Sequence, residues 1–394
     1  MKEEKKRVLL ITDVAFWQVG LGSRSRILAL LSTLKEHFYV DVFFLGKITS
    51  DFFESDFSEQ LDITSVEDWF IPAAVEKKFS KGKLFSNPSL SGCNDTLFGN
   101  SLINFIKSRE KKYDAVLIEY IRWAFLASVF PEKTLLILDT HDLMAAREWR
   151  FSVHNRKHHV SISLAEELAI FEKFHVVIAI QYEEFKFIEA SLKRALPLCC
   201  PHSLSVENKI SLLKANVMES KDCHNLHIGF IGSGSDANVD SLIWFLNQVW
   251  PVVKMAGLTL NIYGGVCNRV EMQPYKKEKV IFHGVVKNLK EIYNLCDFMI
   301  NPILFGGGLK IKSVEAICYG KPLVSSPEGA VGIKNLEKSG ILVAKKREQF
   351  IDAILLLAQS PEYRLYMSKM AFESSKQFSP AACFNDLISL IRMW

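Results

Sequence analysis

The residues from Asn301 to Ile333, NPILFGGGLKIKSVEAICYGKPLVSSPEGAVGI, form the densest set in this chain of groups able to do chemistry. Gly306, Gly307 and Gly308 stand just before two ammonium groups, Lys310 and Lys312, and a carboxylate, Glu315, follows. Glycines let the backbone take conformations that a Cβ forbids and let a ligand approach closely. Lysines in the first turn of a helix oppose the positive end of its dipole, at a cost of about 0.3–1 kcal/mol. A bound anion reverses that cost, because the free N–H groups and both ammoniums then face negative charge. The alternative is a pair of solvated lysines on an exposed turn, and the triple glycine tips the reading to a phosphate site. No Gly-Lys-Ser/Thr closes the loop, so it is not a Walker A sequence. Glu315 has a Cβ that leans back towards the loop, where a carboxylate could accept hydrogen bonds from the two hydroxyls of a ribose. Its apolar neighbours Val314, Ala316 and Ile317 argue against a plain surface glutamate.

A second group of candidates lies in the first half. TLLILDTHD ends an apolar run in Asp139, Thr140, His141 and Asp142. Asp142 is expected to cap the helix LMAAREWRF. His141 read alone fits a hydrogen-bonded histidine at a strand end as well as a reactive group. Arg147 and Arg150 lie three apart on that helix and could face an acceptor. Gly20-Leu21-Gly22 starts like a dinucleotide fingerprint, but Ser25 holds the third glycine position and no acid closes YVDVFFLG, which excludes NAD. Arg24 and Arg26 open the next helix, where at least one binds an anionic group or both are solvated. Ser233 and Gly234 could offer N–H groups to a phosphate, with Asp236 or Asn238 capping the helix behind them. No metal is expected: no Asp-x-Asp pair stands near a strand end, and His154, His158 and His159 read as a solvated basic surface.

These groups need a scaffold, and the patterning supplies one. FMINPI is a short buried strand stopped at Pro302; Ile311, Val314, Glu315 and Cys318 recur at helical spacing. Gly320 stands at the helix C-terminus, Pro322 blocks continuation and LVSS starts the next strand. The result is a βαβ unit with its loop at the carboxyl end of a strand, where open α/β sheets bind ligands. RVLLITD, YVDVFFLG, YDAVLIEY, TLLILD and HVVIAI read as strands of the first half, alternating with helices that include IRWAFLASVF. The stretch from Lys47 to about Asn100 has no clear period. LHIGFIG, LTLNIYGG, KVIFHG, FMINPI, LVSS and ILVA are the strands of the second half, and the tail after them is helical. The fold class is α/β with parallel sheets.

Composition narrows the function classes. The 394 residues suit two domains, 49% of them are hydrophobic, and the formal net charge is only +4. That balance does not suggest a nucleic-acid binder, though it fits an anionic substrate or a lipid surface. The eight cysteines form no CxxC pair and read as buried thiols of a reducing cytosol. MKEEKKRVLLIT is too short and acidic for a signal peptide, and no apolar run is long enough to cross a bilayer.

The glycine–lysine–glutamate stretch resembles the donor-site motif of retaining GT-B glycosyltransferases, family 4. The resemblance implies two Rossmann-like domains facing across a cleft, with a final helix crossing back. The domains would be residues 1–204 for the acceptor, 205–379 for the sugar-nucleotide donor, and 380–394 for the returning helix. It implies that Glu315 grips the ribose, that Gly306, Gly307, Gly308, Leu309, Lys310, Ser233, Gly234, Gly284 and Val285 line the donor, and that His141 sits near the sugar and leaving phosphate. Gly20, Gly22, Arg24 and Arg147 would serve the acceptor or phosphate side. Two departures stand out: the family's first glutamate is replaced by Gly307, as in a GGGLKIK-like subgroup, and no Arg–Lys pair follows LHIGFIG. The second departure puts more weight on Lys310 and Lys312.

The expected activity is metal-independent, retaining transfer of a hexosyl-type group from a nucleoside-diphosphate sugar to a glycan, lipid-linked or protein acceptor. His141, Lys312 and Glu315 are the expected catalytic set. Polysaccharide biosynthesis at a cytoplasmic location, with peripheral contact at the inner face of a membrane left open, completes the expectation. A non-catalytic binding or assembly subunit on the same fold, and a sugar-nucleotide epimerase, remain as alternatives.

Overall fold

The computed structural model describes residues 5–46 except 19 and 21, then 48–53, 55, 62–65, 102–107, 112–204 except 159, and 225–394 except 277 and 278. Most of the irregular stretch after Lys47 and the polar linker at 205–224 lie outside them. The chain divides into two compact units.

The first unit comprises Met1–Gln18, Ser23–Pro201 and Cys383–Trp394. It is built on a seven-stranded sheet in which every pairing is parallel. The strands are β1 (Arg7–Thr12), β2 (Tyr39–Phe44), β3 (Asp62–Ser65), β4 (Ala115–Glu119), β5 (Leu135–Asp139), β6 (Val176–Ala179) and β7 (Leu196–Cys199). Their order, β3-β2-β1-β4-β5-β6-β7, reverses direction between β1 and β4. Val8, Leu9, Leu10 and Ile11 of β1 are all fully buried, the continuous apolar run that a strand covered on both faces requires. Two edge strands escape the sequence reading. β3 lies inside the irregular stretch, and β7 carries Pro197, which is tolerated at a sheet edge. Helix α1 (Gly22–His37) buries Ile27, Leu30, Leu31 and Leu34 on one face, as its period predicts. IRWAFLASV folds as a 3₁₀ helix, not an α-helix, and buries Trp123 and Leu126.

Helices α2 (Met144–Val153), α3 (Leu164–Phe171) and α4 (Tyr182–Ser191) complete this part of the unit. The expected cap of α2 by Asp142 does not form. Its N-cap residue is Leu143, without a side-chain cap, and Asp142 is paired with Arg147 instead. The carboxylate of Glu167, on α3, takes the cap's place by accepting from the Met144 N–H (2.7 Å) and the Ala145 N–H (2.9 Å). Free N–H groups at a helix start need such partners.

The second unit comprises Val19–Gly22 and His202–Ala382. Its six-stranded sheet is ordered β10-β9-β8-β11-β12-β13, again all parallel. The strands are β8 (His227–Ile231), β9 (Thr259–Tyr263), β10 (Val280–Gly284), β11 (Phe298–Asn301), β12 (Leu323–Ser325) and β13 (Ile341–Val343). Strand order reverses between β8 and β11, so the carboxyl ends of these two strands form the topological switch point of the sheet. Helix α5 (Asp236–Gln248) follows β8, α6 (Leu289–Leu295) precedes β11, and α7 (Ile311–Cys318) connects β11 to β12. Gly320 has φ 66°, and its N–H closes on the Ile317 carbonyl (2.9 Å), the left-handed helix stop expected there. Helices α8 (Arg347–Gln359), α9 (Pro361–Ser374) and α10 (Pro380–Met393) end the chain. On α10, Cys383, Phe384, Leu387, Ile388 and Ile391 are buried in the first unit's cluster with Val8, Leu10 and Leu34.

Candidate functional site

In the second unit two loops meet at the switch point. The first leaves β8 as Gly232–Ser235; the second leaves β11 as the triple glycine. Asn238, in the first turn of α5, donates through Nδ2 to the Ser233 carbonyl and hydroxyl (3.1 Å each). Its Oδ1 accepts from the Lys312 ammonium (2.7 Å). Asn238 therefore ties the two loops together instead of capping α5, whose N-cap is Ser235. Arg269, after β9, donates to the Gly234 carbonyl and pairs with Asp236 and Glu271. It places beside the β8 loop a cation that the sequence directly after that strand lacks.

The two lysines prove unlike. Lys310 is the N-cap residue of α7 and not part of its first turn. Its ammonium donates to the carbonyls of Gly307 (3.1 Å) and Gly308 (2.9 Å) and pairs with Glu328 (2.9 Å). It shapes the loop from within. Gly308 has φ 57°, a conformation costly for any residue with a Cβ. Lys312 has no carboxylate in hydrogen-bonding contact among the described residues. Its ammonium lies over the Phe230 ring, 4.4 Å from the centroid, and desolvation, aided by the neighbouring Lys310 charge, pushes its pKa down to about 7. The N–H groups of Ile311 and Lys312 have no hydrogen-bond partner among the described residues.

Glu315 is buried on the same helix, 5% exposed. Its Oε2 accepts from the Tyr293 hydroxyl (3.0 Å), and that ring stacks on Tyr319 at 4.4 Å. Desolvation raises the Glu315 pKa to about 7, against the Tyr293 hydrogen bond and the Lys312 charge. Leu309 is buried, Gly284 ends β10 with φ 74°, and Val285 is exposed. Gly20 and Gly22 are grouped with this unit.

The first unit has its own concentration of buried polar groups at the carboxyl ends of β4 and β5. Glu119 and Asp139 end these strands in register with each other. Arg26 and Asp139 form an ion pair with both side chains at 0% exposure, and Arg26 also donates to the Cys200 carbonyl (2.9 Å). The sequence reading had Arg26 open to an anion or to solvent; instead it neutralises a strand-end carboxylate inside the fold. Arg24 has its pKa lowered by partial burial, against the charge of Asp51. Arg147 pairs with Asp142 and lies near the Phe151 ring.

His141 Nε2 lies 2.5 Å from Glu119 Oε2. Its ring stacks on Tyr120 with centroids 3.9 Å apart and planes 9° from parallel. Both residues have left-handed backbones, φ 60° for His141 and φ 68° for Tyr120. Non-glycine residues take that conformation at a cost of about 1 kcal/mol or more, and such outliers gather at functional sites. The Arg122 guanidinium covers Tyr120 at 4.1 Å and pairs with Asp13, after β1. Desolvation pushes the His141 pKa down to about 4 and that of Glu119 up to about 8. Ligand-type atoms of Glu119, Asp139 and His141 lie within 4.8 Å of one another. The sequence reading, which expected no metal, did not assemble this trio, and in it the Arg26 guanidinium already holds Asp139. The missed Glu119 had a visible signal: like Asp139, it is a carboxylate ending an apolar strand.

Residues 225–360 match the family described as glycosyl transferases group 1. A relative from Klebsiella pneumoniae, an uncharacterized 44.6 kDa protein in the cps region, is 26% identical over 267 residues. The match covers 62% of this chain and 65% of that one, just under two thirds of the relative's length. Among solved structures, sucrose-phosphate synthase from Thermosynechococcus elongatus aligns with a TM-score of 0.68 at 14% identity, over 99% of each chain. HepE from Anabaena, in complex with UDP and glucose, aligns with a TM-score of 0.65 at 15% identity, over 99% of this chain and 100% of that one. At such identities the likeness is one of fold, and that fold is GT-B.

Proposed function

We propose that the chain is a glycosyltransferase that moves a hexosyl-type group from a nucleoside-diphosphate sugar to a glycan, lipid-linked or protein acceptor. The observation that carries the reading is Lys312. It is a cation at a helix start, at the switch point of a parallel sheet, hydrogen-bonded among the described residues only to a neutral amide and pushed towards neutrality by burial. A diphosphate on that helix end would restore its charge and engage the open N–H groups of Ile311 and Lys312. The group 1 match over 225–360 covers this stretch. The structurally similar HepE was captured with UDP and glucose.

In this reading Lys312 and the α7 amino end stabilise the departing nucleoside diphosphate, whose charge develops as the glycosidic bond breaks. Lys310 holds the Gly306–Gly308 loop in shape, and Glu315, fixed by Tyr293, receives the ribose hydroxyls through its second oxygen. Ser233, Gly234, Gly284, Val285 and Leu309 line the donor, with His141 on the sugar side. Gly20, Gly22, Arg24 and Arg147 serve the acceptor or phosphate side. Fixed cations do the electrostatic work without a metal, and retention of configuration follows the family resemblance. Membership of family 4, a role in polysaccharide biosynthesis, and a cytoplasmic location with peripheral contact at a membrane's inner face belong to the same proposal. The cps-region relative supports the pathway. Among the described residues no helix is long and apolar enough to cross a membrane.

The test incubates the protein with UDP-, GDP- and dTDP-sugars, with and without glycan and lipid-linked acceptors. Nucleoside diphosphate released only when acceptor is present supports transfer. Absence of a thermal shift with every nucleotide supports a binding subunit, and interconversion of sugars without acceptor supports an epimerase.

A further inference from the structure

The buried pair Glu119–His141 does more than fill the end of a sheet. Glu119 is fully buried, and its only hydrogen-bond partner among the described residues is His141 Nε2; its second oxygen, Oε1, is buried without a partner. The groups facing it are countable. Asp139 lies beside it on β5 and is neutralised by Arg26 of α1. Asp13, after β1, and Arg122, after β4, form a second neutral pair. Asp142 adds a carboxylate on the His141 side, itself paired with Arg147. Each neighbouring charge thus has its own partner. An ionised Glu119 would leave an uncompensated buried carboxylate with an orphaned oxygen, which is strongly unfavourable. A short hydrogen bond between a neutral carboxyl and a neutral imidazole avoids this, with the carboxyl donating through Oε2 and Nε2 accepting. The reverse, Nε2–H donating to the carbonyl oxygen, would put the acid proton on Oε1, which is buried with no acceptor.

The geometry points to Glu119 as a positioning residue whose carboxyl proton, donated to His141 Nε2, fixes the imidazole as its Nδ1–H tautomer and presents a neutral N–H donor to the substrate. Nδ1 has no hydrogen-bond partner among the described residues, and the ring keeps 6% exposure. Stacking on Tyr120 and the left-handed backbones of both residues hold the ring plane. The shifts agree in direction, with Glu119 raised and His141 lowered, both mainly by desolvation. A donor held this way suits a hydroxyl or phosphoryl oxygen of a sugar substrate, where an imidazole offering a lone pair would act as a base. Which nitrogen carries the proton is set by the hydrogen bond at the other one. The place of His141 beside substrate rests on the glycosyltransferase reading; the tautomer does not.

The experiment uses the full chain labelled with ¹⁵N-histidine, with His141 assigned by its loss in His141→Gln. At pH 7 a pyrrole-type Nδ1 and a pyridine-type Nε2 are expected, and Glu119→Gln keeps that pattern because its amide also donates. A pyridine-type Nδ1, or protonation of both nitrogens, overturns the inference in the unaltered protein, whether or not Glu119→Ala folds. No substrate is needed, so this outcome is independent of whether transfer is observed. Where transfer is observed, Glu119→Ala is expected to lower turnover at least about tenfold, with little change in donor KM and with rescue by Glu119→Gln. Equal activity of the Ala and Gln variants would also overturn it.

Discussion

Two side chains with displaced proton affinities, Lys312 and Glu119, concentrate what can be tested residue by residue. Lys312 has its pKa brought down to about 7, so part of the population is neutral at that pH. Binding of a nucleoside diphosphate should restore the ammonium and take up as much as one proton between about pH 7 and 8.5. Calorimetric titration of UDP in buffers of different ionisation enthalpy is expected to show that uptake, and Lys312→Met to remove it and weaken binding. Equal heats in all buffers would take Lys312 out of the anion site. Glu119 gives a stability prediction with a definite sign. Its pKa is raised in the folded protein to about 8, so the folded state holds a proton that the unfolded chain has already released. Its contribution is fully present below the ordinary carboxylate pKa and is lost as pH rises through about 8. Glu119→Gln does not titrate, so its melting temperature should gain on the unaltered protein from pH 5 to 8. A constant difference across that range would contradict the protonated carboxyl.

At the scale of single elements, the start of α2 is held by a side chain from another helix, whereas α3, α6 and α9 carry local caps from Ser163, Asn288 and Ser360. α2 begins on two N–H groups satisfied by Glu167 of α3. Desolvation raises the Glu167 pKa to about 7, and those two N–H bonds oppose the rise. Glu167→Ala leaves the two donors unpaired in a buried place and should cost about 2–3 kcal/mol. Glu167→Gln keeps an acceptor and should cost about 1 kcal/mol. Urea unfolding followed by far-UV circular dichroism distinguishes the two. Local sequence pointed to Asp142 as the cap because capping preferences describe near neighbours. The actual partner lies 23 residues away, beyond the reach of any local rule. The same limit explains Asn238, whose position suggested a cap and whose side chain instead links Ser233 to Lys312.

For the molecule as a whole, the last helix carries apolar side chains into the core of the first unit. Phe384 is fully buried there, among residues of β1 and α1. Phe384→Ala should therefore destabilise the first unit by about 3–5 kcal/mol. Limited proteolysis is expected to cut first-unit sites sooner in this variant, and unchanged cleavage rates there would contradict the assignment. No disulfide joins the cysteines among the described residues to one another, and reducing agent is expected to leave their contribution to stability unchanged.

Sequence by itself determined the parallel α/β class, the strand–glycine loop–helix–strand unit around Lys312, and the helix stop at Gly320. Each of these is written in short-range patterns: apolar runs, a helical stripe, glycines where a Cβ would be costly. Tertiary structure decided which charges meet. It gave Lys310 to Glu328 and to the loop carbonyls, set Lys312 on the Asn238 amide over the Phe230 ring, buried Arg26 against Asp139, and set Glu119 on His141. Those pairings bring together residues on different strands and loops, and burial then moves their proton affinities. Neither the partner nor the desolvation is encoded in neighbouring residues.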